Sequence, residues 1–198
     1  GCHKGEILEQ MLRYSPGGKH FAFEPLPDMY EALKNKYGDR ARIYPYALSN
    51  RSDSNKTFNM VKNAPAYSGL KRRSYEDLSH VELEEISVEV RTLDEVIGEE
   101  RVDFIKIDVE GGDYDVLRGA GKLLERCHPL IVFEFGKGGA EYYGVSHEDM
   151  YRLLVENHGY RLHTLEGFLK RQEPLPGDAF GETYNIGKEY YFVAEYDK

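Results

Sequence analysis

Short apolar runs alternate with helical patterns through most of this chain, and this alternation constrains the fold more than any other sequence feature. The clearest run is Leu130 to Phe135 (LIVFEF), which is nearly all apolar, as expected of a strand covered on both faces. Another is Val102 to Val109 (VDFIKIDV), and a helical pattern from Asp113 to Leu124 separates the two. Strands that alternate with helices indicate βαβ units and a parallel sheet.

The same rhythm extends over most of the chain, with one interruption. Further helices are predicted over residues 6–14, 27–37 and 146–157, and further strands over residues 20–24, 43–48, 160–165 and 189–195. Residues 50–90 interrupt the rhythm, because two alternating strands flank a polar loop there. We expect this insertion to cover the ligand site. Thr92 to Glu95 fits a capping box for a short helix.

The two ends of the chain determine the predicted sheet. The last two strands are separated by a long connection in which we predict no helix, so we expect them to be antiparallel. The whole chain is then one α/β domain, residues 1–198, with a Rossmann-like sheet that is mostly parallel and has an antiparallel C-terminal strand. In βαβ nucleotide folds a glycine loop follows the first strand. Since the chain opens on such a loop, we expect the first strand to lie upstream of Gly1.

Composition excludes several classes of protein. A chain of 198 residues suits one domain with a single core, and a net charge of −9 disfavours nucleic acid as a partner. No apolar run approaches the roughly 20 residues of a membrane span. Cys2 and Cys127 are expected at opposite ends of the sheet, too far apart to bond. Two cysteines make no disulfide framework, which favours a cytoplasmic protein.

Candidate ligand-binding residues begin at the glycine loop. Gly1-Cys2-His3-Lys4-Gly5 precedes the first helix, where glycine lets the backbone approach a ligand. Glu24 ends the next strand about 19 residues after Gly5, near the spacing expected of a carboxylate that bonds ribose hydroxyls. A solvent-exposed strand-end acid is the alternative interpretation of Glu24. The dinucleotide fingerprint G-x-G-x-x-G is not met.

Candidate catalytic residues lie at the ends of two central strands. Asp108 and Glu110 follow the strand that begins at Val102, and Glu134 ends the neighbouring strand. Open α/β sheets bind ligands at the carboxyl ends of their strands, so these acids should meet at one crevice. The alternative interpretations are a helix cap for Asp108 and a salt-bridged strand-end acid for Glu134, and Glu110 has the weaker claim to a catalytic role.

Several short motifs occur in an order that resembles the FkbM-type methyltransferases. They are FEP-x-P (residues 23–27), ALSN (47–50), SGL (68–70), TLD (92–94), FIKIDVEG (104–111), VLRGA (116–120) and the strand at 129–134. The resemblance covers the chain from Gly1 to about Leu165. Asp113 is a departure, because the family usually has Glu there.

The resemblance implies an S-adenosylmethionine-dependent O-methyltransferase of the class I fold. By that resemblance the loop of Gly1, Cys2, His3 and Gly5 would hold the methionine part, and Glu24 the ribose. Residues near Pro25 and Ala47 would hold the adenine, and Asp108 would lie beside the sulfonium and the acceptor. The acceptor implied is a hydroxyl of a sugar, glycan or secondary metabolite. An acidic mouth suits a sulfonium cation.

A hydroxyl acceptor needs help to lose its proton. The candidates for the base are Asp108, Glu110, Glu134 and His3, of which His3 is more simply a loop residue. The three carboxylates would alternatively hold Mg²⁺, which prefers oxygen ligands. Lys71-Arg72-Arg73 is a solvated charge run or a clamp for an anionic group on the acceptor.

Two other function classes stay open on the sequence alone. One is a nicotinamide-dependent oxidoreductase, because a glycine loop with a later acid also suits that cofactor. The other is a non-catalytic binding domain that retains the fold. An adenine-N6 nucleic-acid methyltransferase is disfavoured, because the stretch at Asp108 is IDVE and not a (D/N)PP(Y/F) motif.

Overall fold

A computed structural model describes residues 1–75 and 80–197. Its strands are β1 (Phe21–Phe23), β2 (Arg42–Tyr44), β3 (Tyr46–Leu48), β4 (Asp53–Val61), β5 (Leu83–Arg91), β6 (Phe104–Ile107), β7 (Leu130–Glu134), β8 (Tyr160–Thr164) and β9 (Tyr191–Tyr196). Its α-helices are α1 (Glu6–Tyr14), α2 (Pro27–Tyr37), α3 (Leu93–Ile97), α4 (Asp113–Arg118), α5 (Gly121–Cys127), α6 (His147–Tyr151), α7 (Leu165–Leu169) and α8 (Gly177–Ile186). Pro65–Tyr67 and Ala140–Tyr143 form 3₁₀ turns, and Arg152–Asn157 is π-helical.

The largest sheet has the order β6-β7-β9-β8. Strands β6 and β7 are parallel, whereas β9 is antiparallel to both β7 and β8. The predicted fold is therefore confirmed in class and in its antiparallel C-terminal strand. The carboxyl ends of β6 and β7 lie at one edge, where Asp108 and Glu134 were expected.

The predicted strand over residues 43–48 is wrong as a single element. It is two strands in different sheets, because β2 pairs with β1 and β3 pairs with β5. Pro45 separates them, and proline cannot donate a ladder hydrogen bond. The chain therefore changes sheet at this residue.

The predicted insertion is a long hairpin. Strands β4 and β5 are antiparallel, with Thr57 opposite Ser87, and β3 extends this sheet in parallel with β5. The polar segment after β4 folds back onto the hairpin through a bridge between Asn59 and Gly69. The insertion thus has a sheet of its own beside the main sheet.

The expectation that no helix connects the last two strands is also wrong, since α7 and α8 lie between β8 and β9. In α8, Phe180 and Tyr184 are four residues apart and buried, so they form one apolar face. Two glycines in the sequence of α8 weaken its helical pattern. The strands are nevertheless antiparallel, as predicted.

A groove separates β1 from β6. Each of these strands has a strand partner on one side alone among the described residues, β2 and β7 respectively. A cavity of about 850 Å³ runs between them and is lined by Phe21–Phe23 and Phe104–Ile107. At its amino end Glu100 bonds Lys19 at 2.7 Å and Arg42 at 3.4 Å.

The main core fills the space between the largest sheet and the helices that cover it. Its fully buried side chains include Phe133, Phe192, Leu117 and Leu154. Cys2 and Cys127 are both free thiols, as expected. None of the described helices combines the length and the apolar character of a membrane span.

Candidate functional site

The loop from Gly1 to Gly5 brings the start of α1 to the carboxyl edge of the sheets. The amino group of Gly1 donates to the carbonyl oxygen of Asp108 at 2.6 Å. Gly5 caps α1 with φ 84°, and a Cβ at that residue would lie 2.7 Å from Tyr37 and 2.8 Å from Leu33. Close packing against α2 therefore explains why residue 5 is a glycine. A contact between Gly5 and a ligand stays a prediction.

Glu24 lies at the end of β1 and is 5% exposed. Its carboxylate accepts the backbone N–H of His3 at 2.8 Å and of Leu26 at 3.1 Å. Burial raises the pKa of this carboxyl, and the two N–H bonds oppose that effect. A carboxylate has about four acceptor sites, so two remain for a further donor such as a ribose hydroxyl.

An apolar surface continues from Glu24 along the cavity. Pro25 and Ala47 line it together with Met29 and Phe58. Ala47 and Phe58 belong to a small buried cluster that joins β3 to the hairpin. A flat, weakly polar ring such as adenine suits this surface. Gly1, Cys2, His3, Asp108 and Glu110 also line the cavity.

Asp108 follows β6 and is held by two neighbours. Lys106 Nζ lies 2.8 Å from Asp108 Oδ2, and the hydroxyl of Tyr191 donates to the same oxygen at 3.2 Å. Burial acts to raise the pKa of Asp108, but the bond and the charge of Lys106, together with a bond from Glu134, keep the pKa below its ordinary value. Asp108 is therefore ionised near neutral pH.

Glu134 ends β7 beside Asp108, and the pKa values of the two carboxyls are shifted in opposite directions. Burial, followed by the charge of Asp108, raises the pKa of Glu134 to about 8. Like charges at short range do not both ionise readily, so one proton stays on the pair and Glu134 carries it. Paired carboxyls with separated pKa values are typical of acid–base sites.

Glu110 is the third carboxylate at this edge. It adopts φ 60°, which is uncommon for a residue with a side chain. Its carboxylate is bonded by the guanidinium of Arg73, which reaches it from the insertion. Burial acts to raise the pKa of Glu110, and the charge of Arg73 opposes that effect without cancelling it.

Asp113 opens α4 beneath this cluster. It is 1% exposed, and neither carboxylate oxygen has a hydrogen-bond partner among the described residues. Burial raises its pKa to about 7. Asp113 thus adds a second titrating carboxyl close to the acids of the sheet edge.

The structure brings Asp108, Glu110 and Glu134 together, with one oxygen of each within 4.8 Å of the others. That donor set suits Mg²⁺ in type, but Lys106 and Arg73 already pair with two of its members. Lys106 and Arg73 thus supply the positive charge that a cation would bring, and we assign no metal here. The ring of His3 contacts Glu6 at 3.7 Å.

Lys106 and Tyr191 are site residues that the sequence analysis missed. Lys106 is two residues before Asp108 on a strand, and that spacing places both side chains on one face. The alternation therefore contained the signal for Lys106. Tyr191 lies opposite Glu134 in the β7–β9 pair, and its position depends on a strand register that the sequence does not specify.

Comparisons with known proteins agree with this geometry. A sequence model of the family described as "Methyltransferase FkbM domain" matches residues 1–162. The chain is 30% identical over 139 residues to the 2-O-methyltransferase NoeI of Sinorhizobium fredii (strain NBRC 101917 / NGR234), a match that covers 64% of this chain and 57% of that protein. The chain thus spans little more than half the length of this curated relative.

A solved structure shows the same fold. Methyltransferase FkbM from Methylobacillus flagellatus KT superposes with a TM-score of 0.58 at 15% identity, over 98% of this chain and 41% of that chain. A second structure, described as StiE O-MT, gives a TM-score of 0.47 at 12% identity, over 100% of this chain and 66% of that one.

Proposed function

Because the chain belongs to the FkbM methyltransferase family, we propose that it transfers a methyl group from S-adenosylmethionine to a hydroxyl group. The observation that carries this proposal is the pair of Asp108, which lines the cavity, and Glu134, which lies beside it. Lys106 holds the carboxylate of Asp108 ionised, so this group can accept a proton, whereas the pKa of Glu134 is raised to about 8.

The residues around the cavity suit S-adenosylmethionine. Glu24 retains acceptor sites for ribose hydroxyls, and the apolar surface at Pro25 and Ala47 suits adenine. The loop from Gly1 to His3 suits the methionine part, and the carboxylate of Asp108 suits the sulfonium, whose charge S-adenosylhomocysteine lacks. When bound, the cofactor supplies an electrophilic methyl group on a sulfonium.

The chain's own residues orient the acceptor and take its proton. As the acceptor oxygen took up the methyl group, Asp108 would accept the proton that the hydroxyl loses. Lys106 and Tyr191 hold the Asp108 carboxylate in place, so it is oriented before the acceptor arrives. Glu134 keeps its proton, which leaves Asp108 as the single base of the pair. Glu110 is the alternative base, but Arg73 occupies it.

The acceptor we propose is a hydroxyl of a sugar, a glycan or a secondary metabolite. The curated relative is named as a 2-O-methyltransferase, which supports a hydroxyl acceptor. We infer that the whole chain forms one methyltransferase domain, with the hairpin of β4 and β5 as its cover. A cytoplasmic location is consistent with the two free thiols.

Calorimetric titration with S-adenosylhomocysteine and with NAD tests the proposed cofactor. We expect binding of S-adenosylhomocysteine and no measurable binding of NAD. The reverse result would favour the oxidoreductase alternative, which the unmet dinucleotide fingerprint already disfavours.

The variant Asp108→Asn tests the proposed base. It keeps the size of the side chain and removes its charge, so single-turnover methyl transfer over a panel of hydroxylated acceptors should fall by roughly 100-fold or more. Affinity for S-adenosylhomocysteine should change much less. Asp103→Asn, at the exposed amino end of β6, is the matched control and should leave both unchanged. Unchanged turnover in Asp108→Asn would remove Asp108 as the base.

A further inference from the structure

The side chain of Arg73 joins three parts of the molecule beside the cluster of Asp108, Glu110 and Glu134. The guanidinium of Arg73, which belongs to the insertion, bonds the carboxylate of Glu110 and donates to the carbonyl oxygen of Gly138 at 3.3 Å. It also lies over the ring of Tyr67, with the guanidinium carbon 6.0 Å from the ring centroid. The Arg73 side chain is 12% exposed, so this is not a solvated charge.

Neighbouring contacts place the same segment across the ends of β6 and β7. The backbone N–H of Ser74 donates to the hydroxyl of Tyr142 at 2.9 Å, in the 3₁₀ turn after β7. A Cβ built on Gly69 would lie 3.5 Å from the Cβ of Glu110. The segment from Gly69 to Ser74 therefore borders the crevice that contains Asp108 and Glu134.

Charge explains why the insertion contacts this site through an ion pair between Arg73 and Glu110. Three carboxylates approach within 4.8 Å, and Lys106 compensates Asp108. Arg73 compensates Glu110, which would otherwise repel Asp108. Glu110 also has a backbone conformation that persists only where the surroundings hold it in place.

We propose that Arg73 is a positioning residue, which holds Glu110 and fixes the insertion as a wall on the acceptor side of the site. The effect on methyl transfer rests on the proposed function, whereas the seating of the insertion does not. Arg73 acts on the acceptor through Glu110 and the insertion, and its hydrogen bonds go to Glu110 and Gly138, not to the predicted cofactor-binding residues Glu24 and Ala47.

Hydrogen exchange measured by mass spectrometry tests directly whether Arg73 holds the insertion in place. In Arg73→Gln, amides of residues 62–75 should exchange about 10-fold faster or more than in the unmodified protein. Glu110→Gln should have the same effect, and the double variant should add little, because both changes break one contact. Arg72→Gln, which alters an exposed neighbour with the same charge, should leave exchange unchanged. Unchanged exchange in Arg73→Gln overturns the proposal.

Steady-state kinetics test the consequence for the acceptor. A displaced wall should lower kcat/KM for the acceptor by about 100-fold in Arg73→Gln, while affinity for S-adenosylhomocysteine stays within about 3-fold. Arg73→Lys keeps the charge without the planar fork and should recover part of the loss. An equal loss in Arg72→Gln would show general attraction of an anionic acceptor and overturn the positioning role. Suppose instead that exchange is faster in Arg73→Gln but no form of the protein transfers a methyl group. That result would refute the proposed function and would still support the role of Arg73 in holding the insertion.

Discussion

Glu24 combines a structural role with a predicted binding role. Its carboxylate already ties His3 and Leu26 to the end of β1. If it also bonds the ribose, Glu24→Ala should cost roughly 1.5–3 kcal/mol of cofactor binding, or about 10- to 150-fold in the Kd of S-adenosylhomocysteine. Glu100→Ala is the matched control, because Glu100 lines the opposite end of the same cavity. Equal affinities in the two variants would remove Glu24 from the cofactor site.

Asp113 makes stability depend on pH. Its pKa is raised by burial to about 7 from an ordinary value of 3.8, so the folded state binds a proton that the unfolded state has lost. Stability from this group is complete below about pH 4 and is lost as pH rises toward 7. Chemical denaturation of Asp113→Asn should therefore show a shallower decline in unfolding free energy over that range. An identical slope in both proteins would contradict the assignment.

At the scale of elements, the loops that follow β6 and β7 touch each other through their backbones. Gly111 has φ 93°, and a Cβ built there would lie 2.4 Å from the carbonyl carbon of Gly139. Gly138 has φ 91° but has no atom within 4 Å of such a Cβ. An alanine at either residue would therefore have the same backbone strain, but only the alanine at residue 111 would also clash with Gly139.

Gly111→Ala should therefore destabilise the protein more than Gly138→Ala does. The expected difference is about 1–3 kcal/mol, the usual cost of overpacking. Urea denaturation of the two variants measures the difference. Equal midpoints and slopes would mean that the two loops are free to separate.

Prediction from sequence succeeded where one element determines the outcome. The buried strand β7 and the acids that follow β6 were predicted from local patterns. It failed where distant elements determine the outcome. The apolar face of α8 is explained by tertiary burial of Phe180 and Tyr184, and the position of Tyr191 depends on how β9 pairs with β7. The contact of Arg73 with Glu110 joins residues 37 positions apart, which spacing alone could not reveal.

At the scale of the whole molecule, the groove between β1 and β6 has the shape of a missing strand. Both borders present strand edges, and an unpaired edge readily accepts another strand. Apolar side chains of Phe21, Phe23 and Ile105 line it. The groove therefore has room for the strand that the sequence predicts upstream of Gly1.

Hydrogen exchange on two forms of the protein tests this expectation. In a chain that starts at Gly1, amides of Phe21–Phe23 and Phe104–Ile107 along the groove should exchange rapidly. Addition of the residues encoded upstream should slow that exchange. A gene whose start codon lies at or next to Gly1 would refute the upstream strand.

The position of β9 has a consequence for the order in which the site is completed. This strand lies between β7 and β8 although it follows both in the chain, and its Tyr191 bonds Asp108 across 83 residues of sequence. Contacts of such long sequence separation form slowly, and a domain synthesised from its N-terminus acquires them last. The earlier strands must leave a gap into which β9 inserts. During folding, the carboxylate of Asp108 therefore gains its tyrosine partner only after the chain from β6 to β9 is in place.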